Sequence, residues 1–186
     1  MESRRVVSDD EVTRAGCRFF LAHGTVEMSR LAEDMCVSRA TLYRITHSRD
    51  RLLGDVLWRL AERMLSDARR ECTATGADGV LEVTRRFTER LLAAEPFRRF
   101  LTTEPEVAAR VLMTGAGRVT ERVVAAQHEI FREAGLSEAT DDLAYLYVRI
   151  IESALYGELV DGRHADLALA ERVLKEILRQ LSHDPR

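Results

Sequence analysis

The chain has 186 residues, 31 acidic against 28 basic side chains, and a formal net charge of -3. Glycine and proline are scarce, which suits a helical protein with room for one helical domain and a small appended module. The acidic balance excludes a protein that coats nucleic acid without specificity, yet it permits binding through a local basic patch.

Ser8-Asp9-Asp10-Glu11 reads as a capping box with Val7 and Val12 as its hydrophobic staple, and it starts a helix predicted over Asp9–Ala22. Val12, Ala15, Phe19 and Phe20 fall on one face of that helix. Arg4 and Arg5 precede it as a basic arm. Met28–Leu53, MSRLAEDMCVSRATLYRITHSRDRLL, then reads as two short helices joined by a tight turn and followed by the start of a longer helix. Ser29 is placed as the cap of the first, with Leu31, Ala32 and Met35 inward. Cys36-Val37-Ser38 makes the turn, and Ser38 caps the second, Arg39 to about Ile45.

Val37, Leu42 and Ile45 are spaced to face one core, which leaves Arg39, Thr41, Tyr43 and Arg44 outward. This is the layout of a helix-turn-helix, whose second helix enters the DNA major groove. Between Ser38 and Leu52 stand Arg39, Arg44, Arg49 and Arg51 against Asp50 alone. Arginine suits both guanine edges and phosphates. A solvated helical hairpin with arginines on its wet side has the same pattern.

From Asp50 to about Cys72 runs a long helix with Leu53, Val56, Leu57, Leu60, Met64 and Leu65 on one stripe. Thr73–Gly79, rich in turn formers, ends it. The next helix is predicted over Val80–Ala94 and stopped by Glu95-Pro96, followed by a short apolar piece, Phe97–Leu101. Pro105 opens another short helix. Gly115 and Gly117 precede a helix over Arg118–Ala134. Glu138–Val160 is the most apolar helix, and the last runs from about Asp166 to Leu181.

Leu31-Ala32, Val37-Ser38, Thr41-Leu42-Tyr43, Ser48-Arg49-Asp50 and Leu52-Leu53 together resemble the signature of the TetR family of one-component repressors, in order and spacing. Three departures stand out. Cys36 replaces the usual turn glycine, Thr46 sits where the family has a buried phenylalanine, and the link from Gly24 to Leu31 is shorter. The resemblance implies an all-α chain: a three-helix, helix-turn-helix DNA-binding domain over 1–49 and a helical effector-binding and dimerisation domain over 50–186. It also implies a homodimer through the last two helices on a near-palindromic duplex operator, with half-sites roughly 34–36 Å apart. Phosphate contacts are assigned to Ser38, Tyr43, His47 and Arg49, and base contacts to Arg39, Thr41 and Arg44.

The apolar surplus of the Glu138–Val160 helix independently asks for a partner, and a two-fold dimer makes such a face self-complementary. Within that helix Tyr145, Arg149, Glu152 and Tyr156 fall at i, i+4, i+7 and i+11 on one line. They form candidate polar groups of an apolar ligand site, with Phe87, Leu91, Phe100, Leu112, His128 and Phe131 as greasy walls. An Arg149–Glu152 pair on a wet edge, with the aromatics as core, explains the same residues.

The expected function is a repressor released by a small-molecule effector. Two other readings stay open: a helical small-molecule-binding protein or enzyme without DNA binding, and a DNA-binding adaptor controlled by a protein partner. No Ser-His-Asp order, H-E-x-x-H, phosphate loop or Cys/His metal pair is present, so no enzyme activity, metal or cofactor is expected. Cys17, Cys36 and Cys72 are far apart and expected to be reduced. No apolar run of ~18 residues and no signal-peptide core is seen, so a cytoplasmic protein without membrane contact is expected.

Overall fold

The computed structural model describes residues 7–136, 141–161 and 166–183. They form ten α-helices: α1 Asp9–His23, α2 Met28–Asp34, α3 Arg39–Thr46, α4 Arg49–Glu71, α5 Gly76–Ala93, α6 Glu95–Thr103, α7 Pro105–Met113, α8 Val119–Glu133, α9 Asp141–Asp161 and α10 Leu167–His183. Among the described residues there is no strand, as expected of an all-α chain. Arg4, Arg5 and Glu138, which figure in the sequence reading, lie outside the described residues. The chain divides into two compact units, Met1–Ala61 with Ala94–Val119 and Glu62–Ala93 with Thr120–Arg186, the boundary falling inside α4.

In the first unit α1 starts as its sequence requires. The Ser8 side chain accepts from Glu11 N–H while the Glu11 carboxylate accepts from Ser8 N–H, which satisfies two free donors of the first turn. Gly24 ends it in the left-handed region at φ 72°. Phe20, Val12, Leu31, Leu42, Leu52, Leu53 and Val56 are all at most 1 % exposed and make the core. Burial of a leucine such as Leu42 stabilises by roughly 1.5–3 kcal/mol. Phe100 of α6 meets Phe20 edge-on at 5.7 Å between ring centroids. Along α4, a Cβ at Gly54 would run into the Gly117 carbonyl oxygen, so only glycine permits that approach.

Ser29 does not cap α2. Met28 is buried and already helical, so the cap position falls on Glu27, whose side chain makes no capping bond. The end of α2 is more informative. Val37 N–H bonds Ala32 C=O at 2.9 Å and Cys36 N–H bonds Glu33 C=O at 2.9 Å, the paired closure of a Schellman motif. Its left-handed position is occupied by Cys36 at φ 54°, where a glycine would sit without steric penalty. Thr46, in place of a large aromatic, is 1 % exposed and donates its hydroxyl to Leu42 C=O at 3.0 Å.

In the second unit the core is built from Ala68, Val80, Leu81, Val83, Ile130, Phe131, Ala144, Tyr147, Leu174 and Leu178. The α5 helix begins at Gly76, four residues before the predicted start. The small residues Gly76-Ala77-Asp78-Gly79 wind into a first turn, with Gly79 N–H on Thr75 C=O at 3.1 Å and the acid Asp78 at the positive end of the helix. In the first unit Pro96 likewise does not merely stop a helix; it lies in the first turn of α6, where its missing N–H costs nothing.

Candidate functional site

Ser38 caps α3: it accepts from Thr41 N–H at 3.0 Å, and its hydroxyl lies 2.9 Å from that of Thr41. With Leu42 and Thr46 buried inward, the opposite face of the helix is left to solvent. Arg39, Arg44 and His47 are exposed, Tyr43 is 38 % exposed and Thr41 half-buried. The helices α1, α2 and α3 thus hold a cationic, aromatic-bearing surface away from the core.

The junction from α3 to α4 is a γ-turn. His47 takes φ 66° and ψ -45°, and Ser48 N–H bonds Thr46 C=O across it at 2.8 Å. This positive-φ form is rare for a non-glycine residue and stores strain, as backbone at functional sites often does. Ser48 then caps α4 by accepting from Arg51 N–H at 3.0 Å.

Arg49 is engaged by the protein itself through its Nε and Nη2. Its Nε donates to Val26 C=O at 2.7 Å, and its Nη2 reaches Thr25 Oγ1 at 2.8 Å and the two Glu104 oxygens at 2.7 and 2.6 Å. As the first residue of α4 it is directed back onto the α1–α2 loop and onto Glu104, the residue between α6 and α7. The neighbouring Asp50 accepts from Arg110 Nε at 2.5 Å. Hydrogen bonds from Arg110 outweigh burial and hold the Asp50 carboxyl below its ordinary value. At Glu104 burial pulls the other way, yet bonds from Thr25 and Arg49 and the Arg49 charge leave that carboxyl lowered as well. No local pattern in the sequence ties Thr25, Glu104 and Arg110 to this site, since their partners lie 24, 55 and 60 positions away.

The candidate ligand residues divide. Tyr145, at the start of the α9 line, is 52 % exposed. Arg149 and Glu152 do pair, at 2.7 Å, with the Arg149 side chain 37 % exposed and the Glu152 side chain 8 % exposed and also accepting from Thr120 at 3.3 Å. Burial raises the Glu152 carboxyl despite the Arg149 charge. Tyr156 is buried, and burial raises its phenol too. Leu91 and Phe131 are buried in the second unit, and Phe87 packs against its core. His128 is half-exposed and faces Asp141 at 3.7 Å. Phe100 and Leu112 are buried residues of the first unit. On α8 the Gln127 side chain is buried and its Nε2 has no partner among the described residues.

A separate cavity of about 190 Å³ opens between α5, α9 and α10, floored by Thr84 and Tyr147 and bordered by Glu171. It lies on the line of α9 through Tyr147 and Ile151, not on the one through Arg149 and Glu152, and so carries no charged stripe on that helix.

A family model described as the Tetracyclin repressor-like C-terminal domain matches residues 75–179. Among solved structures the chain is similar to the transcriptional repressor QsdR of R. erythropolis, from the TetR family, with 26 % identity and a TM-score of 0.84 over 92 % of this chain and 94 % of that one. It shares its fold with the TetR family repressor AlkX of Dietzia sp., implicated in biodegradation of n-alkanes, with 22 % identity and a TM-score of 0.61 over 92 % and 96 %. No curated protein matches the sequence.

Proposed function

The chain belongs to the TetR family of DNA-binding transcriptional regulators, and from that premise we propose that it is a cytoplasmic, non-enzymatic repressor that grips a near-palindromic operator as a homodimer and is released by a small-molecule effector. The observation that carries the operator reading is the outward face of α3, with exposed Arg39, Tyr43 and Arg44 on a capped helix whose Leu42 and Thr46 are buried. Base contacts fall to Arg39, Thr41 and Arg44, and phosphate contacts to Ser38, Tyr43 and His47.

Homodimerisation is supported by four large apolar side chains standing 44–52 % exposed on the last two helices: Tyr145 and Leu146 on α9, Leu169 and Val173 on α10. The effector reading is supported by polar groups buried in the second unit: Glu152, which is close enough to Tyr156 to act on its phenol, and Gln127, whose Nε2 has no partner among the described residues. The proposed functional division keeps operator binding in residues 1–49 and effector binding and dimerisation in 50–186, although the packing units cut across it.

The test is an anisotropy titration against duplexes tiling the region upstream of the chain's own coding sequence. One duplex is expected to bind far more tightly than the rest, with two protomers per duplex. The Arg39→Ala/Arg44→Ala variant is expected to lose at least about a hundredfold, at roughly 1–3 kcal/mol per base contact. Equal affinity of that variant and the parent would remove the site assignment.

A further inference from the structure

The cavity between α5, α9 and α10 has a hydrogen-bonding polarity that can be worked out atom by atom. Thr84 Oγ1 lies 3.0 Å from Val80 C=O, which can only accept, so the Thr84 hydroxyl hydrogen is directed there. Both bonds stand together only if the Tyr147 hydroxyl, 2.8 Å away, donates to Thr84 Oγ1. Both hydroxyl hydrogens are then engaged, and what Tyr147 Oη has left for a visitor is a lone pair. Its phenol stays protonated: burial raises it well above its ordinary value, against a smaller lowering by the Thr84 hydrogen bond, and the Glu171 carboxylate adds a lesser rise.

The charges around the opening have the same sense. Arg85 and Glu89 at the rim neutralise each other at 3.1 Å. Lys175, one turn beyond Glu171 on α10, is engaged by Asp78 at 3.2 Å. Half-buried Glu171 lines the cavity and has no hydrogen-bond or ion-pair partner among the described residues. The remaining walls are apolar: Leu81, Ile151, Leu167 and Leu174. A cavity of about 150 Å³ accommodates a benzene ring, so about 190 Å³ takes a ring and two or three further heavy atoms.

We propose that this cavity is a binding site for a small organic ammonium ion with a compact apolar body, the ammonium donating to the Glu171 carboxylate and to the Tyr147 phenol oxygen while the body fills the Leu81, Ile151 and Leu174 side. The site is separate from the Glu152-centred residues proposed for the effector. It also stays open in the proposed dimer. On α10 the cavity side carries Leu167, Ala168, Glu171 and Leu174, whereas Leu169 and Val173 project from the other side of the helix.

Isothermal titration of the full chain with phenethylammonium chloride, at fixed ionic strength, tests this. Saturable binding of one ion per protomer is expected. The neutral isostere 2-phenylethanol and the Glu171→Gln variant should each weaken binding at least about tenfold, because each removes a charge-assisted hydrogen bond. Ala168→Trp, an exposed position at the mouth, should block binding while leaving the helical circular-dichroism spectrum unchanged. Absence of saturable heat, equal affinity for the alcohol, or a Glu171→Gln variant that binds as the parent does would each overturn the proposal.

Discussion

Arg49 Nη2 and Glu104 Oε2 stand 2.6 Å apart, with 27 % and 22 % of their side chains exposed, and so join the first residue of α4 to the residue between α6 and α7. A half-buried guanidinium left without its carboxylate is costly. Glu104→Ala is expected to lower unfolding stability by about 1–2 kcal/mol, read as a shift of the urea midpoint at constant slope. Arg49→Ala should cost a similar amount and leave the salt dependence of operator binding unchanged, because this cation faces the protein. A salt slope reduced by about one would return Arg49 to the phosphate contacts.

Acid should weaken the first unit as pH falls through and below the ordinary carboxylate range. Asp50 and Glu104 both have folded values lowered from their unfolded ones. Their contribution is therefore complete above the unfolded values and is lost as pH falls through the folded ones. Thermal midpoints measured from neutral pH down to about pH 3 are expected to fall, and to fall less in an Arg49→Ala/Arg110→Ala variant. Parallel pH profiles for the two proteins would contradict this.

Cys36 holds a left-handed position at φ 54°. Removing its Cβ relieves a penalty of roughly 1–2 kcal/mol, partly offset by the greater entropy of an unfolded glycine. Cys36→Gly is expected to stabilise by about 0.5–1 kcal/mol. A destabilised variant would mean that the thiol makes contacts that outweigh the strain.

Leu169 and Val173 project from α10 with 48 % and 44 % of their surface exposed. Leu169→Glu/Val173→Glu is expected to sediment as a folded monomer and to bind the operator at least about tenfold more weakly, since one protomer then grips one half-site. A variant that remains dimeric would place the interface elsewhere.

Local chemistry was legible in the sequence because each signal acts over one or two helical turns. The Ser8 and Ser38 caps, the inward face of α1, Leu42 and the outward set of α3 all depend on neighbours a few positions away. The family resemblance rested on the same short-range order. Tertiary packing alone decided where long side chains end up. Arg49 looked like its fellow cations until Glu104, 55 positions on, accepted it. Phe100 was claimed by Phe20 in the first unit's core, and Tyr145 was left outside while Glu152, on the same helical line, was buried. The Thr84–Tyr147 pair, 63 positions apart, is of the same kind. A helix line states which residues share a face; only the elements packed against it determine which part of that face is covered.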